Sequence, residues 1–292
     1  MAQLQTDIAV IGAGPQALTL VTHVLQKKAK LRDRIQVFDP SGTWMTQWQQ
    51  QFAAQEIHEL RSPAVHHPDP NAHALRTFAE GRYDELHSPY DRPGTRLFQE
   101  FCDTVVQRWQ LQNQVVTAAV TRLEPLQKRP SRFRLTLSTG DTVLARRVVL
   151  AAGGGQPYLP AWAKQLSTIY PPERLCHANQ IRLPALNSLA GETVLIVGSG
   201  LTSGHLAVGA VKRGANVVMM ARRTFQEKIF DAEPGWLGPK YLKGFHAEPD
   251  MAARWQMVQE ARNGGSLTPA MMTRLRKLQR QGDITFYEHC QV

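Results

Sequence analysis

Gly12, Gly14 and Ala17 stand in a Gly-x-Gly-x-x-Ala spacing, and Asp39 follows 22 residues after Ala17. Such a set can hold a pyrophosphate and a ribose. Gly12 permits a tight turn, Gly14 lets the backbone approach phosphate oxygens, and Ala17 is small enough for close packing behind them. Pro15 and Gln16 belong to the same candidate turn. A carboxylate at position 39 would accept hydrogen bonds from ribose hydroxyls. The elements that must position these groups are legible around them. The apolar run Asp7–Ile11 reads as a buried parallel strand, and an apolar pattern predicts a helix from Ala17 to about Lys27. Its N-terminus offers unpaired N–H groups and a positive dipole end to phosphates. A second strand, Arg34–Phe38, delivers Asp39. A βαβ unit with a glycine turn and no ligand is the alternative. The agreement of strand, glycines, helix and distant acid weighs against it.

The pattern recurs at Gly198, Gly200, Leu201, Thr202 and Ser203, after a strand over Thr193–Val197 and before a helix reaching about Arg213. Gly214 is placed to cap that helix. The next strand, Asn216–Met220, ends without a carboxylate, and Ala221-Arg222-Arg223 follows, Arg222 lying 19 residues after Ser203. A carboxylate there would repel a 2′-phosphate, whereas a guanidinium can bind one bidentately. NADP(H) is therefore favoured over NAD(H), against the alternative of a solvated basic strand end. Two fingerprints of different charge suggest a chemical pairing, in which one site holds FAD and the other delivers the NADPH that reduces it. The expected fold class is α/β with two Rossmann-like dinucleotide-binding domains, an FAD-binding domain over 1–188 and an NADP-binding domain over 189–292.

Composition narrows the alternatives. Of 292 residues, 42% are hydrophobic and 20% charged, enough apolar material for packed cores. The net charge is +10. From Val211 to Gly282 there are 13 Lys/Arg against 6 Asp/Glu, without the interleaved aromatics of a base-stacking platform. An anionic small molecule is a better match than nucleic acid. No apolar run approaches the roughly 18 residues of a membrane-spanning helix, and no basic segment precedes the first strand as in a secretory signal. Cys102, Cys176 and Cys290 form neither a disulfide framework nor a CxxC motif, so a cytoplasmic location is expected, with each cysteine a small buried residue.

Between the fingerprints, Val115–Leu123 reads as a strand, and Arg132–Leu137 with Thr142–Leu150 as a hairpin turned at Ser138–Asp141. The cluster Ala151-Ala152-Gly153-Gly154-Gly155, running on to Pro160, allows close approach to a cofactor at Gly153 or acts as a flexible connector. Pro184–Gly191 reads as a linker. His66, His67, Asp69 and His73 invite a metal reading, but Pro68 and Pro70 break any helix that would align them; a polar loop is expected and no metal site is assigned. Helices are expected at about Arg96–Gln110, Met251–Arg262 and Pro269–Gln281, the last capped by Thr268 and closed by Gly282. Asp283–Val292 reads as a final strand.

With GAGPQA at 12–17, Ser41-Gly42-Thr43-Trp44, the AAGGG cluster and GSGLTS at 198–203, the chain resembles the NADPH-dependent flavoprotein monooxygenases. These include the flavin-containing, Baeyer–Villiger and lysine/ornithine N-hydroxylating groups. The resemblance spans roughly Asp7 to Arg223 and adds Trp44 to the cofactor-binding candidates. It implies that NADPH reduces FAD and that the reduced flavin activates dioxygen, passing one oxygen atom to a soft nucleophile such as an amine or sulfide. It makes Arg61, Ser62 and His66 candidates to face the isoalloxazine, with no catalytic role assigned to any. The sulfide- and ketone-oxidising groups carry an F-x-G-x-x-x-H stretch. Here Leu175-Cys176-His177-Ala178 keeps only the histidine, read equally as structural or functional. The N-hydroxylating group is the closer neighbour, and an amine substrate is expected. Disulfide-reductase relatives need a cysteine pair that the spacing does not offer. The alternative is a non-catalytic or regulatory FAD- and NADP(H)-binding protein. In the family the chain returns after the NADPH unit to complete the FAD domain. No segment before Cys290-Gln291-Val292 is a candidate for that return, so either a fragment or a reduced version with a more open FAD site is expected.

Overall fold

The computed structural model describes residues 4–127, 132–153, 157–166, 169–171, 174–233, 235–236, 238–262 and 264–292. The chain divides into two compact units, one of residues 1–52 and 58–157, the other of residues 53–57 and 158–292.

In the first unit β1 (Leu4–Ile11) leads through α1 (Pro15–Lys27) to β2 (Ile35–Asp39). After α2 (Thr46–Ala54) and α3 (Ala74–Phe78), a two-residue ribbon pairs β3 (Leu86–His87) with β4 (Arg92–Pro93). Then come α4 (Thr95–Arg108), β5 (Val115–Thr117), β6 (Val120–Pro125), β7 (Phe133–Leu137) and β8 (Thr142–Leu150). The sheet order is β5-β2-β1-β8-β7-β6. Strands β5, β2, β1 and β8 run parallel, and β8, β7 and β6 continue as an antiparallel meander. Period-2 alternation sorts β1 and β2 between two cores. Val10, Ile35 and Val37 face one layer, while Ala9 and Phe38 face the other. The first layer is closed by α1 and by α4, whose Leu97, Phe98, Phe101, Cys102, Val105 and Val106 form one apolar stripe. Phe101 alone, fully buried, contributes about 2–3 kcal/mol in transfer terms.

The expected strand over 115–123 is two. Val115–Thr117 pairs parallel with β2, whereas Val120–Pro125 pairs antiparallel with β7. Buried Ala118 marks the change of partner, and Ala119 N–H donates to the Ser138 side chain.

The second unit contains α5 (Ala161–Leu166), β9 (Thr193–Val197), α6 (Leu201–Val211), β10 (Asn216–Met220), α7 (Pro239–Ala247), α8 (Met251–Ala261), α9 (Pro269–Gln281) and β11 (Ile284–Tyr287). The sheet, ordered β11-β10-β9, is parallel throughout. Helix α6 packs closely on its neighbours because it carries glycines. Added side chains at Gly204 and Gly209 would run into Met271 and Leu267, and into Leu183, respectively. Leu183 is thereby buried just before the expected 184–191 linker, whose residues are exposed apart from half-buried Leu189. Helix α9 has the expected caps: Thr268 Oγ1 accepts from Met271 N–H, and Gly282 closes the helix in the left-handed region. The final strand is shorter than expected, because pairing with β10 ends at Tyr287. Among the described residues no helix is long and apolar enough to cross a membrane.

Candidate dinucleotide-binding sites

The first glycine turn joins β1 to α1. Gly12 N–H donates to the Phe38 carbonyl at 2.8 Å, which pins the turn against the end of β2. Gly12 adopts φ +101°, and a methyl group there would be driven into the Ala151 carbonyl. Only glycine fits both constraints. Gly14, extended at φ −82° and ψ −171°, precedes Pro15 at the first helical position. Ala17 is fully buried against the sheet, and Gln16 is exposed beside the turn. Asp39 reaches back across the site. Its Oδ2 accepts from Ala13 N–H at 3.1 Å, and its Oδ1 accepts from Ser41 N–H at 2.9 Å and Ser41 Oγ at 2.6 Å. A carboxylate has about four acceptor positions, so capacity for a ribose hydroxyl is left over. The turn that leads to α1, the cradle at Gly12 and this acid fit an adenine dinucleotide such as FAD.

Two supports of this turn were not read from sequence. Met45 N–H donates to the Ala13 carbonyl at 2.9 Å, and Ala151 covers Gly12 while its own N–H bonds to Ile11. Trp44 is buried in the core, where its indole N–H donates to the Leu111 carbonyl at 2.9 Å. It packs the segment that carries Met45. Gly153 adopts φ +73°, with none of the described residues within 4 Å of a Cβ added there; Gly154, Gly155 and Gln156 lie outside the described residues.

The second turn repeats the first in its backbone. Gly198 N–H donates to the Met220 carbonyl at 2.9 Å, and Gly198 adopts φ +144°. Gly200 is extended at φ −88° and ψ 170° and opens α6, whose first turn is Leu201, Thr202 and Ser203, all half-buried. A side chain at Gly198 would meet the Ser203 hydroxyl at 2.9 Å. Past β10, Arg222 is exposed and Arg223 half-buried, with Arg223 Nη2 donating to the Gly265 carbonyl at 2.9 Å. Ala221 is held by backbone bonds to Tyr287 and Cys290. The two arginines therefore leave a rigid strand end. A guanidinium there, over a turn with free helix donors, fits a 2′-phosphorylated dinucleotide.

The histidine-rich segment is not an open polar loop. Asp69 pairs with Arg108 and lies beside the Trp109 indole, and Pro68 accepts from Thr22 Oγ1 on α1 at 2.5 Å. His67 is buried edge-on to Phe101, and burial lowers its pKa from 6.5, with the Ala72 carbonyl and Asp69 opposing. Arg61 and Ser62 are half-buried and His66 is exposed. His177 acts as a helix cap: its Nδ1 accepts from Asn179 N–H, and its own N–H donates to Gln180. All three cysteines are unpaired, and burial pushes the thiols of Cys102 and Cys176 up. Among the described residues no group of three or more His, Cys, Asp or Glu is arranged to hold a metal ion.

These features define an FAD/NAD(P)-binding protein of the Rossmann type, and a family model described as FAD-NAD(P)-binding matches residues 9–155. A second model, L-lysine 6-monooxygenase/L-ornithine 5-monooxygenase, matches residues 92–280, and the chain belongs to that family. It is accordingly an FAD- and NADPH-dependent flavoprotein monooxygenase. Among curated proteins no sequence matches. Among solved structures, an ornithine hydroxylase from Pseudomonas aeruginosa superposes with TM-score 0.73 at 16% identity, over 97% of this chain and 73% of that one. The FAD-bound cadaverine monooxygenase of desferrioxamine biosynthesis from Erwinia amylovora gives TM-score 0.73 at 16% identity, over 100% and 70%. A Kutzneria ornithine N-hydroxylase, solved with reduced FAD, NADP+ and L-ornithine, gives 0.68 at 14%, over 98% and 72%. At these identities the likeness is one of fold. The family supports the catalytic reading and not the non-catalytic alternative.

Proposed function

We propose that the chain hydroxylates the terminal nitrogen of an aliphatic primary amine, a diamine or a basic amino acid, with dioxygen as co-substrate. The carrying observation is the pair of glycine turns, alike in backbone and opposite in the charge that follows β2 and β10. In this reading FAD lies on Gly12, Gly14, Pro15, Gln16 and Ala17, with Asp39 on its ribose and Gly153 beside it. Trp44 serves through the packing it gives this turn. NADPH lies on Gly198, Gly200, Leu201, Thr202 and Ser203, with Arg222 and Arg223 after β10 making that end of the site positive toward its 2′-phosphate. The functional division into an FAD domain over 1–188 and an NADP domain over 189–292 belongs to the same proposal.

Bound FAD supplies the hydride acceptor and the oxygen-activating centre. The chain contributes binding and orientation. The α1 and α6 N-termini present donors and dipole ends to the two pyrophosphates, and Asp39 fixes the first turn while accepting from the ribose. The substrate class draws on the family description and on the ornithine and cadaverine named for the similar structures. Unpaired cysteines accord with a reducing, cytoplasmic setting.

The test is NADPH oxidation by FAD-loaded protein across ornithine, lysine, cadaverine and shorter amines, following oxygen uptake, peroxide and hydroxylamine together. One amine should couple NADPH use to hydroxylamine formation. Peroxide alone with every amine would overturn the substrate class.

A further inference from the structure

Arg222 and Arg223 are neighbours in sequence with opposite surroundings. Arg222 is exposed and, among the described residues, makes no hydrogen bond or ion pair. Arg223 is half-buried and donates to the Gly265 carbonyl. Its guanidinium also occupies the space beside Gly264, where an added Cβ would lie 2.9 Å from Nη2. Gly264 and Gly265 adopt φ +63° and +98°, backbone conformations that side chains resist. Gly265 in turn lies against the second glycine turn, its Cβ position 3.5 Å from Gly200 Cα and 3.6 Å from Gly200 N. The far end of this segment is tied by Leu267 N–H to the Gln226 carbonyl and by Lys228 N–H to the Leu267 carbonyl, each at 2.9 Å. Thr268 then caps α9.

Residues 264–268 thus run past the turn assigned to the NADPH pyrophosphate, held at one end by Arg223 and at the other by the backbone of 226–228. From this we infer that the two arginines divide the work. Arg222 alone discriminates the 2′-phosphate, and Arg223 is a positioning residue that latches Gly264–Gly265 against the Gly198–Gly200 turn. The inference rests on NADPH occupying the second site. Its physical basis is competition for donors. Moving Arg223 onto a phosphate would break its bond to Gly265 and release the segment that shapes the turn. Arg222 has no internal bond to lose, so its charge-assisted contact with phosphate is a net gain.

The test compares R222A, R223A, R223K and G265A in the FAD-loaded protein. Direct titration gives the Kd for NADPH and NADH, and amide exchange of residues 264–267 is measured without coenzyme. R222A should weaken NADPH by about 30-fold, leave NADH unchanged and leave exchange unchanged. R223A should weaken both coenzymes by the same factor, about 10-fold, preserve their ratio and speed exchange. R223K should recover part of both effects, because an ammonium can still donate to the carbonyl. G265A, which disturbs the latch from the other side, should copy R223A and keeps the question answerable if R223A fails to fold. Loss of the NADPH/NADH ratio in R223A with unchanged exchange would overturn the division. If neither arginine variant alters NADPH binding, the assignment of NADPH to this site falls instead.

Discussion

The two glycine turns share a backbone and differ in everything that surrounds it. In each, the first glycine donates to a carbonyl at the end of the next strand, Phe38 in β2 and Met220 in β10, and the third residue of the turn opens a helix. The first turn is enclosed. Strand β1 is flanked by β2 and β8, Ala151 covers Gly12, and Asp39 grips Ala13. The second is more open. Among the described residues, strand β9 is at the sheet edge, with Leu195 and Val197 exposed, and only a serine hydroxyl stands over Gly198. One backbone can therefore retain a resident cofactor or admit a coenzyme that comes and goes, according to what covers it. The helices behind the turns differ as well. Helix α1 is tied to a polar plug through Thr22 and Pro68, whereas α6 rests on Met271, Leu267 and Leu183.

The largest effect should separate the two glycines. Gly12→Ala carries about 1–3 kcal/mol of backbone strain plus a clash with a carbonyl that cannot move aside. FAD affinity should fall by at least about 100-fold, leaving colourless protein. Gly198→Ala shares the backbone strain, at φ +144°, but among the described residues its methyl meets only a rotatable hydroxyl, so FAD content should stay intact while Kd for NADPH rises by about 10-fold. Equal loss of FAD in both variants, measured by absorbance after desalting, would erase the distinction between enclosed and open turns.

Asp39→Asn comes next. The amide keeps a carbonyl acceptor but loses charge assistance to Ala13 and to the ribose, so FAD should weaken by about 10-fold with NADPH unaffected. Fluorescence titration of the apoprotein measures the first, and a weakened NADPH Kd would show that the turns are not independent.

The polar plug predicts a pH asymmetry. His67 resists protonation because it is buried, whereas in the unfolded chain it protonates near its ordinary 6.5. The unfolded state therefore binds more protons, and stability declines as pH falls below 6.5 toward the lowered folded value. His67→Asn should flatten that decline between about pH 7 and pH 5.5. Denaturant midpoints at the two pH values measure it; an unchanged slope would remove His67 as its source. The smallest effect is Thr268→Ala. Loss of the α9 cap should cost about 1 kcal/mol. A melting curve should fall by about 2–4 °C.

Much of this was legible in sequence because it is local. Strands β9 and β10, the fingerprints, and the Thr268, Pro269 and Gly282 signals of α9 are set by neighbouring residues. Other features depend on distant partners. Helix α2 was not anticipated, since its run of glutamines hides the half-buried Trp48 and Phe52 that stack on one another. The break near Ala118 reflects a change of strand partner, and the burial of His67 and Asp69 depends on Arg108, 39 residues beyond Asp69. At the sites, the spacing marked the glycines and the charges after β2 and β10. The Ala151 cover, the Met45 support and the Arg223–Gly265 bond are long-range contacts with no spacing signature.

The most direct test of an enclosed FAD site served by an open NADPH site is anaerobic mixing of FAD-loaded protein with NADPH or NADH, followed at the flavin absorbance band. With such a pair of sites, flavin stays bound through desalting and NADPH bleaches it far faster than NADH at equal concentration. Protein that cannot retain FAD, or bound flavin that neither coenzyme reduces, would contradict it.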